Sequence, residues 1–268
     1  MQTRGNILNR SSPQRTRGGF TLLDVLVSIA VIALLIAMLL PSLQKTSEAA
    51  RRVVCQSNIR QLGIGVLTYS DDYQGYLPPS AYLGSDIAQK MPQQMITARL
   101  DSNLQDQLGT EKAWDGLGIL YAADYTTSPQ VFYCPSHRGL NAFRDYANRW
   151  NGEEGQIVIN FHYRGEGPVG VSRTGSQPAG TTNLLAAIDP KQTSLIADGM
   201  RVRTDFNHEV GANFFRADLS VLWFSDPGRR LLAALPTDLN NASAMTVTNA
   251  WAWYDRTSSI PAADPTID

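Results

Sequence analysis

Residues 18–41 read GGFTLLDVLVSIAVIALLIAMLLP, and the reading of this stretch decides how the rest of the chain must be organised. Between Phe20 and Leu40 the only polar side chains are Thr21, Asp24 and Ser28. Twenty-one helical residues rise ~31 Å, the hydrocarbon thickness of a bilayer, so the run suits one membrane crossing. The residues before it hold Arg4, Arg10, Arg15 and Arg17, no acid, and end in Gly18-Gly19. That is the pattern of a leader, not of a folded element. A buried core helix is the alternative for such a run, but core helices rarely follow a basic, Gly- and Ser-containing leader. Lys45, Arg51 and Arg52 follow the span and nearly match the four arginines ahead of it, so charge bias alone orients it weakly.

Pro41 closes the run. Inside a helix it removes the hydrogen bond to the Ala37 carbonyl and bends the rod; at a helix end it terminates it. Beyond it Leu43, Ala50, Val53, Val54, Leu62, Val66 and Tyr69 recur near helical spacing among Lys45, Glu48, Arg51 and Arg60. This predicts an amphipathic continuation that stops near Asp72–Pro78, at Gln74-Gly75 and Pro78-Pro79. Its apolar stripe needs a cover, and the remainder of the chain is the available one. In that remainder Val131–Cys134, Gln156–Tyr163 and Thr193–Ala197 read as short strands. Ala212–Ala217 and Val221–Phe224 read as a hairpin turning on Asp218-Leu219-Ser220. The expected fold class is α+β: a long membrane and stalk helix packed on a largely antiparallel sheet head with extended loop insertions. The expected parts are a leader (1–19), a transmembrane helix (20–40), its amphipathic continuation (41–78), a head (79–254) and a mobile tail (255–268).

The 268 residues carry 23 basic and 24 acidic side chains, a net charge of -1 that gives no support to nucleic-acid binding. The 21 glycines and 14 prolines suit a loop-rich head. Cys55 and Cys134 are too far apart for a CxxC pattern and His137, His162 and His208 are scattered, so spacing reveals no metal site. If the head lies outside the cytoplasm, the two cysteines permit one disulfide pinning the stalk to the head; two separate buried thiols are the other reading.

Gly19-Phe20-Thr21-Leu22-Leu23-Asp24, followed by an apolar helix and Pro41, resembles the cleavage and methylation segment of type IV prepilins and type II secretion pseudopilins. The resemblance implies a pilin-like fold, cutting after Gly19 by a prepilin peptidase, methylation of Phe20, and assembly through Asp24 and Pro41 with other pilin-like subunits. The implied partners are that peptidase, those subunits, an inner-membrane assembly platform and membrane lipid. The implied location is the cytoplasmic membrane, single-pass, with the head in the periplasm or outside the cell. Asp24 stands where the family usually has Glu. A carboxylate in an apolar span costs about 2.5–3.5 kcal/mol and needs a partner. Pairing with the N-terminal amine of a neighbouring subunit and capping of its own helix N-terminus are both open. Some pseudopilins bind calcium near their C-termini, but Asp238, Asn240, Asn241 and Asp255 follow no calcium-loop spacing, so no cofactor site is assigned.

Three further stretches resemble a group of long prepilin-like proteins with an H-x9-DG pattern near the end: Cys55-Gln56-Ser57-Asn58-Ile59-Arg60-Gln61, Trp114-Asp115-Gly116-Leu117-Gly118, and Phe132-Tyr133-Cys134-Pro135-Ser136. His208 and Asp218 complete the pattern, with Leu219 where the group has Gly. Ten extended residues separate the pair by as much as ~33 Å, too far for a catalytic or metal dyad, so a structural role is expected. His208 would close the loop entering the strand and Asp218 would bond turn N–H groups. No GxSxG, HExxH, P-loop or GxGxxG occurs, and no enzymatic activity is expected. The competing function is an anchored or secreted binding module for carbohydrate or cargo, cut near Ser47-Glu48-Ala49 and using the tryptophans. Trp251-Ala252-Trp253 on a strand would present both rings on one face.

Overall fold

The computed structural model describes residues 21–83, 90–168 and 181–257. The leader with Gly19, and Phe20 at the start of the expected membrane helix, lie outside these, as does most of the expected tail. The chain divides into two compact units, Met1–Ser47 and Glu48–Asp268. One helix, α1, covers Leu22–Asp72 with Pro41 inside it, so the proline interrupts a helix without ending it. The Ser42 hydroxyl donates back to the Leu39 carbonyl at 2.8 Å, two residues on from the Ala37 carbonyl that the proline leaves unbonded.

In the first unit every large apolar side chain from Leu22 to Leu40 is at least half exposed. A helix apolar on all sides needs lipid or other helices around it. At its start Thr21 and Asp24 form a reciprocal cap. The Thr21 N–H and hydroxyl donate to Asp24 Oδ2 at 3.0 and 2.8 Å, and the Asp24 N–H donates to Thr21 Oγ1 at 3.3 Å.

In the second unit Cys55, Ile59, Leu62 and Val66 are fully buried, and with Tyr69 they form one stripe of alternating four- and three-residue steps. Val53 and Val54, placed in the stripe by the sequence reading, are 63% and 50% exposed. They lie one or two residues before Cys55, hence about 100–200° around the helix from the covered face. The helix ends where Gln74 and Gly75 adopt φ of 56° and 87°, and the Gly75 N–H bonds the Ser70 carbonyl at 2.8 Å.

The head runs β1 (Thr97–Arg99), α2 (Ser102–Leu108), α3 (Gly118–Ala122), α4 (Phe143–Trp150), β2 (Ile157–Val158), β3 (Phe161–Tyr163), β4 (Gly167–Pro168) and β5 (Thr181–Thr182). It then continues through β6 (Ser194–Asp198), β7 (Gly211–Arg216), β8 (Val221–Ser225), α5 (Arg230–Ala234) and α6 (Ala244–Arg256). The main sheet is antiparallel throughout, in the order β3-β6-β7-β8, and β1-β2 and β4-β5 form separate pairs. The α+β class follows directly. Because strand side chains alternate, Ile196 and Phe215 face the core shared with the α1 stripe. Ala197, Ala212 and Phe214 join a second core with Leu231, Val247, Trp251 and Tyr254 from α5 and α6. The sheet therefore carries helices on both faces.

Four sequence readings of the head change. Val131–Cys134 is not a strand; Pro129–Phe132 is a 3-10 turn, as a four-residue run between Pro129 and Pro135 has little room for a ladder. Gln156–Tyr163 divides in two, because β2 pairs with β1 whereas β3 pairs with β6. Trp251–Trp253 is helical, launched by Ser243, whose hydroxyl accepts from the Thr246 N–H at 3.3 Å. Two residues apart on a helix point to opposite sides: Trp251 is buried and Trp253 is partly exposed. α6 also takes in Asp255 and Arg256, which the sequence reading gave to the tail.

Candidate functional site

Four buried side chains from distant parts of the chain converge on one point. Cys55 comes from α1, Cys134 from the segment after the 3-10 turn, Asp198 from the end of β6 and His208 from the loop entering β7. One sulfur, nitrogen or oxygen atom from each lies within 4.8 Å of all the others. Cys55 Sγ donates to Asp198 Oδ1 at 3.2 Å, Cys134 Sγ is 3.6 Å from His208 Nε2, and His208 Nε2 is 3.8 Å from Asp198 Oδ2. Both cysteines are free thiols, so the sequence reading brought the right pair together while the structure holds no bond between them.

Each group is held from behind. His208 Nδ1 is 2.8 Å from Glu48 Oε1, and the Ser136 hydroxyl donates to both oxygens of Glu48 at 2.9 and 3.1 Å. Asp198 Oδ1 accepts from Asn207 Nδ2 at 2.8 Å and Oδ2 accepts from the Asn213 N–H at 2.6 Å. The Cys134 N–H donates to Asn160 Oδ1 at 3.2 Å. Trp223 packs edge-on against His208 and carries the Arg52 guanidinium 3.6 Å above its ring centre.

These contacts set the electrostatics. Burial opposes charge on His208, but Asp198, Cys134 and Glu48 around it raise its pKa to about 9. Burial alone would raise Cys134, yet hydrogen bonds from Cys55 and His208 outweigh it and lower it. Burial and the neighbouring acceptors drive Cys55 well upward. The cluster therefore combines two cysteine sulfurs, an imidazole that favours its protonated form and the Asp198 carboxyl group. Such a set can hold a metal ion, form a disulfide, or persist as a buried ion pair.

The sequence motifs meet here. Cys55, the Phe132–Ser136 stretch and His208 each contribute to the cluster, whereas Asp218 does not. Asp218 sits at the far end of β7, where its Oδ1 accepts from the Ser220 N–H at 3.0 Å, the turn role expected of it. His208 lies in the loop entering β7 with Asn213 of that strand 3.4 Å from its Nε2, but its shortest contact, at 2.8 Å, is to Glu48 of α1. Asp198 and the supporting role of Glu48 were not read from sequence. A carboxylate directly after the apolar run Leu195-Ile196-Ala197 was the available signal for the first.

The Trp114–Gly118 stretch fastens β1 instead. Asp115 accepts from the Ser80 hydroxyl and the Ala81 N–H at 2.6 and 2.7 Å. A Cβ on Gly118 would fall 1.8 Å from the Ala98 carbonyl oxygen. The acids considered for calcium have protein partners: Asp238 accepts from the Asn240 N–H at 3.0 Å, and Asp255 accepts from Arg164 at 2.7 Å.

A family model described as "Protein of unknown function (DUF1559)" matches residues 44–204, more than half of the chain. That span contains Glu48, Cys55, Cys134 and Asp198. No curated protein and no solved structure matches the chain.

Proposed function

The chain belongs to the DUF1559 family, a family associated with pilin-like proteins, and we propose that it is a pilin-like (pseudopilin) structural subunit. In this reading a prepilin peptidase cuts after Gly19, Phe20 becomes the methylated N-terminus, and residues 20–40 cross the cytoplasmic membrane. The head then lies in the periplasm or outside the cell, and subunits assemble through their stalks into a type II secretion or type IV pilus-like structure. The activity is assembly, not catalysis.

The observation that carries this reading is the helix α1 itself. Its first half exposes apolar side chains on every side, while the second half is covered by an antiparallel head. A lone anchor needs the first half only; a subunit that bundles with others uses both halves. Asp24 supports it further. Among the described residues the Thr21 N–H and hydroxyl both bond Oδ2, and in this reading Oδ1 is the oxygen for a neighbouring subunit's amine. Capping and pairing are then two uses of one carboxylate.

Mass analysis of the N-terminus of membrane-extracted protein tests the reading. A methylated Phe20 supports it, a start at Ala50 refutes it, and an intact Met1 points to a simple anchor. Asp24→Ala is expected to leave cleavage after Gly19 intact and to impair co-assembly with partner subunits, read by cross-linking in membranes. Unchanged co-assembly would remove the pairing role.

A further inference from the structure

We propose that Cys55, Cys134, Asp198 and His208 bind one zinc-class divalent ion in a closed tetrahedral site that clasps the stalk helix to the sheet of the head. This is independent of how the stalk assembles.

The argument begins with atom spacing. Zinc bound at about 2.3 Å to sulfur and about 2.0–2.2 Å to nitrogen and oxygen has tetrahedral edges of roughly 3.4–3.8 Å. The contact Cys134 Sγ to His208 Nε2 at 3.6 Å already has the sulfur–nitrogen length, and His208 Nε2 to Asp198 Oδ2 at 3.8 Å lies a few tenths of an ångström beyond the nitrogen–oxygen one. Cys55 Sγ to Asp198 Oδ1, at 3.2 Å, is slightly short of the range. Two thiolates with one imidazole and one carboxylate suit a borderline-soft ion such as zinc rather than calcium or magnesium.

The surroundings are those of a metal-binding histidine. His208 turns Nδ1 to the Glu48 carboxylate at 2.8 Å, which directs Nε2 into the cluster, where its lone pair is freed for a metal when the Nε2 proton leaves. There its contacts to Asn213, Cys134 and Asp198 are 3.4, 3.6 and 3.8 Å, longer than an ordinary hydrogen bond. Asp198 is oriented by Asn207 and by the Asn213 N–H, so the donors converge without rearrangement of the backbone. All four ligand residues are at most 4% exposed, which makes the site structural rather than catalytic: no open position faces solvent. On binding, the cysteine thiols and the His208 Nε2–H release their protons to solvent, and the metal–sulfur and metal–nitrogen bonds replace the S–H and N–H bonds.

The test uses the full chain extracted in detergent, kept reduced, stripped by a chelator and titrated with zinc or cobalt ions. The expected result is one ion per chain, intense thiolate-to-cobalt charge transfer with tetrahedral cobalt bands, and protection of both cysteines from alkylation. Cys134→Ser and His208→Gln are each expected to lose stoichiometric binding. Glu48→Gln is expected to keep one ion per chain with roughly 10–100-fold weaker affinity, because it only orients the imidazole. Since a cysteine variant can misfold, the cobalt spectrum and thiol protection of the unaltered chain decide the matter. An octahedral cobalt spectrum without charge transfer, thiols alkylated equally with and without metal, or a Cys55–Cys134 disulfide in protein isolated from its own membranes would each overturn the proposal.

Discussion

Replacing Gly63 with alanine should destabilise the protein even though alanine is the better helix former. Gly63 lies on the covered face of α1, and a Cβ there would sit 2.3 Å from Phe215 Cε2 and 2.5 Å from both Cδ2 and Cζ. Carbon atoms pack at about 3.5–4.0 Å, so the ring and helix would have to separate by roughly 1 Å. Phe215 is fully buried in β7, an inner strand held by β6 and β8, and has little freedom to retreat. Alanine favours the helix by about 1 kcal/mol, whereas overpacking of this kind costs about 1–3 kcal/mol. With three ring carbons affected, the upper part of that range applies, and a net loss of about 1–2 kcal/mol is expected. Gly65 is the internal control. Its nearest neighbour would be Leu120 Cδ1 at 3.2 Å, the end of a side chain that can shift by a few tenths of an ångström. Gly65→Ala should therefore be neutral or stabilising by up to about 1 kcal/mol. Urea denaturation of the detergent-solubilised full chain, followed by tryptophan fluorescence, measures both. Phe215→Leu should relieve part of the Gly63→Ala loss, seen as a double variant less damaged than the sum of its singles. If Gly63→Ala were as stable as Gly65→Ala, the close docking of α1 on the sheet would be refuted.

Leu219 occupies the hairpin turn with φ of 72°, the left-handed conformation that glycine adopts without strain, and its side chain is half exposed. Leu219→Gly should stabilise the head by about 0.5–1 kcal/mol, the relief of strain less the greater chain entropy of glycine; an unchanged melting temperature would contradict this. Asp115 is raised from 3.8 to about 6 by burial, against the lowering effect of its bonds from Ser80 and Ala81. The native state thus holds this proton more tightly than the unfolded chain. Its stabilising contribution is complete below about pH 4 and is lost as pH rises through about 6, a change on the order of 3 kcal/mol. Asp115→Asn should remove that slope between pH 4 and 7 in chemical denaturation; parallel curves for the two proteins would count against it.

The membrane-length run, the stalk beyond it and the β7-β8 hairpin were legible in the residue order, because each rests on a local rule. Bilayer thickness sets the length of an apolar helix, 3.6-residue periodicity marks its continuation, and alternation around a short polar turn marks the hairpin. Local rules failed where a partner decides the outcome. Val53 and Val54 fit the helical pattern as well as Ile59, but only the face turned to β7 is covered. Trp251 and Trp253 look like strand residues until the Ser243 cap begins a helix. Leu219, without a glycine's freedom, still takes the left-handed turn because the paired strands on either side require it.

The cluster lies furthest beyond sequence reading. Cys55 and Asp198 are 143 positions apart, Cys134 and His208 are 74, and His208 and Glu48 are 160. By itself the sequence determined an apolar N-terminal run of membrane length, a helical continuation and a strand-containing head, and it supplied the two cysteines and the histidine. Tertiary structure alone decided that these meet Asp198 at one buried point. Pairing a stalk face with a sheet is a long-range choice, made by the packing of Ile59, Leu62 and Gly63 against β6 and β7, and no spacing along the chain encodes it.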